Sequence, residues 1–483
     1  MSVPSYISSR PARTLTASFV ASAVALTACT AAARPTTATP LNGATTPTPS
    51  MATSTVTATP GPTSTATPPG EVAIPDTPVG RQLRWFLSAA ATPPIPEDEL
   101  TAHLSAGFLA QFPPAEFNKA IQGLSALRLK NLIYVQPTAL IALVTASGKD
   151  VKLSISVNDD GKIGQLVFAA AEPPPNAPTS WEELDKRLRA AAPQVGFLAA
   201  EIIANGECRP VHTVAPDAPQ PMGSMFKLYV LGAVAERIRA GRLSWDTPLT
   251  IRPKLKSLPS GELQDRPDNS TVPLREAAEL MISISDNTAA DLLIAKVGRS
   301  RVEAEVRKWS GRTRLNTPFL TTRELFLLKG ADYPRLARTY LSLSREGRRD
   351  YLKNTVAKTP LSKVAPWDKP RDINRLEWFA SPKDVCQAYA GLAALRSKPL
   401  DAVMSVNDAG LNLDREEWPT VWYKGGSEPG LVAMGFLART AQGRTYVVTA
   451  TAANPRAMLE EGPAAGELLS LIYGSFTLLK RAS

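Results

Sequence analysis

Histidine is almost missing from this chain of 483 residues, which holds only His103 and His212. A Ser-His-Asp relay is therefore poorly supplied with its base. His103 lies in a front segment, and His212 falls in an expected strand, where a satisfied core or surface histidine is the default. Cysteine is as scarce: Cys29, Cys208 and Cys386 are all there is. No Cys and His cluster at ligand spacing, which excludes a zinc site. No apolar run reaches the roughly 20 residues that a membrane-spanning helix needs. The net charge of +10 comes without an RNA-binding signature or a basic strip interleaved with aromatics, so nucleic acid is excluded as a partner. The surplus favours anionic neighbours such as lipid head groups or wall polymers, or simply keeps the surface soluble. No internal repeat is present.

The N-terminus carries Arg10 and Arg13, an apolar run from Leu15 to Leu26, and then "LTAC". A basic start, a short apolar centre and small residues before a cut site describe an export signal. Leu26-Thr27-Ala28-Cys29 resembles the bacterial lipoprotein signal, which implies removal of residues 1–28 and lipidation of Cys29. Acyl chains there would anchor the protein to the membrane at its extracytoplasmic face. The alternative is a plain secretory signal with a chance cysteine. Export implies an oxidising compartment, where Cys208 and Cys386 could form a disulfide or remain two buried thiols. The sequence leaves both open.

Residues 29–75 are rich in Thr, Pro, Ala and Ser. No aromatic occurs between Phe19 and Trp85, and no charge between Arg34 and Glu71. Such a stretch cannot bury enough apolar surface to fold and should act as an extended spacer. The pattern then changes. "VGRQLRWFLSAA", "PEDELTAHLSAGFLAQF" and "PAEFNKAIQGL" predict amphipathic helices. "LKNLIYVQ", "ALIALVTA", "VKLSISVN" and "IGQLVFAA" predict strands separated by turn residues. Helices followed by a meander suggest a small α+β domain over 76–171, and "EPPPNAP" reads as a linker. That domain shows no polar constellation, so a spacer or docking role suits it.

A second domain spans 176–483. Ser180 and Glu183 form a capping-box pattern before a helix. "VGFLAAEII" and "RPVHTVA" predict a strand pair, and a helical block runs to about residue 395. "VWYKGG", "GLVAMGFLA" and "RTYVVTATA" predict three more strands before a closing helix from about Ala464 to Leu479. This order implies one sheet assembled from distant parts of the chain.

Three short stretches carry chemistry. Ser224 stands at the start of an apolar helix with Lys227 three residues on, and it is the one serine in the chain with lysine at that spacing. Positions three apart share a helix face. The helix is apolar most of the way round and ends at Gly241, so Lys227 should be buried, lose its preference for the charged form and act as a base. The second stretch is Ser285-Asp286-Asn287, between two helical patterns. It could relay a proton and hold a substrate amide, or it could merely cap the next helix. The third is "YKGGSEPG". Lys424 at a strand end offers charge to an anionic substrate group, and Gly425 and Gly426 permit close approach. The Ser427 N–H could complete an oxyanion hole with that of Ser224.

Ser-x-x-Lys at a helix start, Ser-Asp-Asn in a loop and Lys-Gly-Gly on a late strand together resemble class A β-lactamases and penicillin-binding proteins. The branch most similar is that of exported serine hydrolases, some with an N-terminal α+β domain. The resemblance implies a β-lactamase/transpeptidase-like domain, an antiparallel five-stranded sheet flanked by helices, behind the small α+β domain. It implies an acyl-enzyme on Ser224, with Lys227 as base and Ser285 as relay. Asn287 would hold the substrate and Lys424 its carboxylate, and no cofactor or metal is needed. Two departures stand out. The family usually has Thr or Ser where Gly425 stands, which leaves Ser427 as the substitute hydroxyl. The Glu that activates deacylating water in class A lacks an obvious counterpart; Glu303, Glu305 and Glu324 are candidates without the right company. The helical section from about Gly330 to Trp378 is also longer than a class A enzyme requires. Acylation is thus better supported than fast hydrolysis. The expectation is a weak β-lactamase, or an enzyme acting on a peptide or ester. The alternative is a non-catalytic or slow-turnover sensor of wall peptides.

Overall fold

A computed structural model describes residues 72 and 74–481, apart from 123, 125–126, 136–137, 147, 159, 171–175, 259 and 311–313. The expected leader, Cys29 and nearly all of the 29–75 spacer lie outside the described residues, as does the 172–175 part of the expected linker.

Thr77 opens α1 (Pro78–Ala89) by accepting the Gly80 N–H on its hydroxyl, and Pro78 fills a position that needs no N–H. Val79, Leu83 and Phe86 fall on one face and are fully buried. Residues 96–112, expected as one helix, form two: α2 (Glu97–His103) and α3 (Ala106–Gln111). Buried Leu104 leaves the helix to bridge Ile163. Ser105 donates its N–H to the Ile163 carbonyl (2.9 Å) and caps α3 with its hydroxyl. Docking on a strand thus overrides the helical period. After α4 (Pro114–Ile121) come β1 (Arg128–Val135), β2 (Ala139–Ala146), β3 (Lys149–Val157) and β4 (Ile163–Ala170), paired in chain order as an antiparallel meander. Leu140 and Ala142 of β2 face Ile155 and Leu153 of β3, and this alternating apolar face forms the front core with α1.

In the rear domain, Ser180 caps α5 (Trp181–Ala191) by accepting the Glu183 N–H. The second half of the expected capping box is displaced: Glu183 turns back to the N–H and hydroxyl of Thr179 rather than to Ser180. β5 (Gln194–Ile202) pairs with β6 (Cys208–Val214). β7 (Gln220–Pro221) then leads through a 3₁₀ turn (Gly223–Phe226) into α6 (Lys227–Arg239). A ribbon of β8 (Pro248–Thr250) and β9 (Thr271–Pro273) precedes α7 (Leu274–Ser283), α8 (Asn287–Val297), α9 (Arg299–Ser310), α10 (Thr322–Gly330), α11 (Arg335–Ser342) and α12 (Arg345–Asn354). β10 (Phe379–Ala380) returns to pair with β7, and α13 (Pro382–Ala394) and α14 (Lys398–Met404) follow. The chain closes with β11 (Thr420–Glu428), β12 (Leu431–Arg439), β13 (Thr445–Ala453) and α15 (Glu461–Arg481).

The main sheet has the order β11-β12-β13-β5-β6 and is antiparallel throughout. One face packs on α5 and α15 through Phe197, Phe436, Val448, Leu471 and Phe476. The other carries Leu198, Ala200, Leu437 and Val447 into the core shared with α6 and α13. Cover on both faces explains why β12 and β13 read as continuous apolar runs rather than alternating ones. Cys208 and Cys386 are joined in a disulfide that ties β6 to α13. Both domains lie within one compact unit, Thr67–Ser483. They touch where Ile133 of β1 faces Gly410: a Cβ there would lie 2.9 Å from the Ile133 side chain. Among the described residues no helix is long and apolar enough to cross a membrane.

Candidate active site

Ser224 does not sit in the first turn of the α-helix, as the spacing suggested, but in the tighter 3₁₀ turn before it. Lys227 is the first residue of α6. The turn is held from below. Met222 donates its N–H to the Trp378 carbonyl (2.9 Å), and Phe226 stacks on the Trp378 ring with 3.8 Å between centroids. Lys227 is fully buried, as are the eight residues after it. Its stem can therefore lead only inward, to the loop between α7 and α8.

That loop is strained where it matters. Ser285 has φ +59, a left-handed conformation that costs a β-carbon-bearing residue about 1–3 kcal/mol. The surroundings hold it there. Buried Asp286 turns away and accepts the N–H groups of Ala289, Glu262 and Leu263 (2.7–2.9 Å). It is thus the cap of α8 that its position allowed. The Ser260 hydroxyl donates to the Ser285 carbonyl (2.9 Å), and the Asn407 amide to that of Ser283 (2.6 Å). Neither residue was legible beforehand, because only long-range contact gives them a role.

The Lys227 Nζ lies 3.2 Å from Ser224 Oγ, 3.0 Å from Ser285 Oγ, 2.8 Å from Asn287 Oδ1 and 2.5 Å from the Ser285 carbonyl. Asn287 Nδ2 donates to the Leu258 carbonyl (3.1 Å). Lys424 approaches Ser285 from the opposite side, with its Nζ 3.0 Å from Ser285 Oγ and 2.7 Å from the Gly425 carbonyl. Two buried lysines therefore meet at one hydroxyl. Desolvation first, and the Lys424 charge second, hold Lys227 well below its ordinary value, while Asp286 and Asp291 pull the other way. Burial lowers Lys424 to about 7. Both amines form a dry floor, whereas Ser224 and Ser285 are half-buried and Ser427 is exposed.

Lys424 lies in mid-strand, not at the strand end that the sequence suggested, because β11 continues through both glycines to Glu428. A Cβ on Gly426 would lie 2.3 Å from the Met222 carbonyl oxygen and 2.5 Å from the Ser224 nitrogen. One on Gly223, itself at φ +50, would lie 3.0 Å from the Ser427 nitrogen. The backbone nitrogens of Ser224 and Ser427 thus meet at a single junction. Gly425 has its own cause. A Cβ there would lie 2.1 Å from the Tyr423 hydroxyl, so the phenol fills the space that a threonine at 425 would occupy.

The other sequence candidates sit elsewhere. Glu303 accepts the Phe319 N–H and pairs with Arg349, Glu324 completes the α10 capping box and pairs with Arg299, and Glu305 faces Lys308. His212 pairs with Asp185 (2.7 Å) and stacks on Trp181, while His103 stacks on Trp85. Among the described residues no group of His, Cys, Asp and Glu is arranged to hold a metal ion.

Residues 180–360 match the family described as "Beta-lactamase enzyme family", a span that includes Ser224, Lys227, Ser285 and Asn287 and stops short of Lys424. Residues 74–163 match "ORF 12 gene product N-terminal". No curated protein matches the chain. Among solved structures, a β-lactamase from Sphaerobacter thermophilus DSM 20745 shares 21% identity at a TM-score of 0.42, over 63% of this chain and 97% of its own. A β-lactamase from Chitinophaga pinensis DSM 2588 shares 18% at 0.40, over 62% and 98%. PBP-A shares 19% at 0.40, over 63% and 100%.

Proposed function

We propose that the rear domain, whose residues 180–360 match the family described as "Beta-lactamase enzyme family", is a serine hydrolase in which Ser224 takes up an acyl group from an amide or ester. The observation that carries this is the 3.2 Å contact between Ser224 Oγ and a fully buried amine. In its neutral form Lys227 accepts the Ser224 proton while Ser285 and Asn287 fix its direction. The attacked carbonyl oxygen is received by the N–H groups of Ser224 and Ser427. Ser285, between the two lysines, passes the proton to the leaving group. Asn287 spends one amide hydrogen on Leu258 and offers the other to the substrate. Lys424 meets an anionic group.

The charge on Lys424 is present below about pH 7 and lost above it. KM for an anionic substrate should therefore rise above that point, by up to about tenfold per pH unit, while KM for an uncharged ester stays level. Steady-state kinetics on the two substrates check this.

Release is slow in this reading, because the three candidate carboxylates, Glu303, Glu324 and Glu305, face Arg349, Arg299 and Lys308. The same observation favours a second reading, a penicillin-binding sensor with little turnover. Lipidation of Cys29 tethers the protein at the extracytoplasmic face in either case. The test is intact-mass timing after exposure to a penicillin and to a simple ester, with the adduct mapped by digestion. An adduct on Ser224 that decays over minutes to hours supports a weak β-lactamase or esterase. A permanent one supports the sensor. No adduct and no turnover with either compound overturns the proposal.

A further inference from the structure

Three residues far apart in the chain meet beside the Ser427 end of β11. Lys329, in the last turn of α10, is fully buried. Its Nζ donates to both carboxylate oxygens of Glu428 (2.5 and 2.7 Å) and lies 3.7 Å from the carboxylate of buried Glu377. The Glu377 Oε1 is buried without a hydrogen-bond partner. An apolar residue at 329 would fill this space without the desolvation cost of an ammonium. A role beyond packing is indicated by what the two carboxylates adjoin.

Glu428 follows Ser427 directly and shares a strand face with Lys424 and Gly426. Glu377 precedes Trp378, whose carbonyl accepts the N–H of Met222, two residues before Ser224. One cluster therefore grips both sides of the junction where the Ser224 and Ser427 nitrogens meet. We infer that Lys329, Glu377 and Glu428 are positioning residues, a clamp that sets the spacing of the two N–H donors around the substrate oxygen. This rests on the reading of Ser224 as the acylated residue.

The clamp has a pH limit. Burial and the charge of Glu428 hold Glu377 well above the usual carboxylate range, against the opposing pull of Lys329 and a hydrogen bond from the Trp378 backbone. Arg371 donates to the Lys329 backbone carbonyl (2.5 Å) and lies over the Tyr333 and Trp367 rings. With Glu377 protonated, one cation faces one anion. When the proton leaves at higher pH, two buried carboxylates compete for one ammonium and the two sides separate.

The test compares the full chain with E377Q and K329M, using an uncharged ester from pH 6 to 10 and thermal unfolding alongside. We expect wild-type kcat/KM to fall on the alkaline side. E377Q should hold its activity there, with KM and melting temperature close to wild type. K329M should lose about tenfold or more in kcat rather than in KM. If the E377Q and wild-type profiles coincide, the clamp is overturned, and this holds even if K329M fails to fold. A folded K329M with wild-type kcat also overturns it. A wild-type chain that forms no acyl adduct overturns this inference and the catalytic reading together, whereas an active wild type with coincident profiles overturns the clamp alone.

Discussion

A Lys227→Met variant is expected to fold and to acylate Ser224 about 10³-fold more slowly than wild type. A positioned general base contributes about 10²- to 10⁴-fold, and no second amine can substitute. Lys424 touches Ser285 rather than Ser224. The fold should survive because two effects oppose each other. Methionine keeps most of the stem and removes an ammonium from a dry site, which favours the variant. The loss leaves Asn287 Oδ1 without its donor, at about 1–3 kcal/mol, while the Ser285 carbonyl keeps the Ser260 hydroxyl. Lys227→Arg should not rescue the rate, since a guanidinium does not give up its proton. Stopped-flow acylation and thermal unfolding check both halves. A methionine variant that acylates at the wild-type rate would remove Lys227 from the mechanism.

The second large effect is expected at Gly426. In Gly426→Ala the new methyl would fall 2.3 Å from the Met222 carbonyl oxygen and 2.5 Å from the Ser224 nitrogen. Both neighbours are backbone, so no side-chain rotation relieves the clash. Either β11 or the 3₁₀ turn must move, and the spacing of the two N–H donors moves with it. Removal of one such donor costs about 10²- to 10³-fold, and a displaced pair should lose about 10²-fold in acylation. The overpacking itself should cost about 1–3 kcal/mol. Gly466→Ala, in α15 with nothing within 4 Å of the added methyl, is the control and should leave the acylation rate unchanged. Equal losses in the two variants would mean that the glycine's closeness to Ser224 is irrelevant to rate.

The parts of this site that were legible beforehand are those with a local rule behind them. Ser224 and Lys227 share a face because helical spacing requires it, even though the turn proved to be 3₁₀. The apolar runs of β2, β12 and β13 announced strands, and the order of the rear strands foretold the composite sheet. Local rules gave out wherever a distant contact outweighed them. Leu104 leaves its helix to meet Ile163, and Glu183 turns to Thr179. The absence of a hydroxyl at Gly425 read as a departure from family habit. In the structure the space is taken by the hydroxyl of Tyr423, two residues back on the same face of the strand. The Lys329 cluster was hidden for the same reason: its members come from α10, the segment before β10 and the end of β11. In a section rich in Arg and Lys, nothing local marked Lys329 as the buried one.

β5 has β6 on one side and β13 on the other, and most of the rear domain separates β5 from β13 in the chain. A nascent chain can therefore form the first hairpin early, yet it leaves a long apolar edge open until β13 has been made. For most of that interval Ser224 and Lys227 have been synthesised, but the strand that bears Lys424 has not. Competence to attack an acyl group thus arrives late and all at once, and a truncated product should be a candidate for aggregation rather than a partly active fragment.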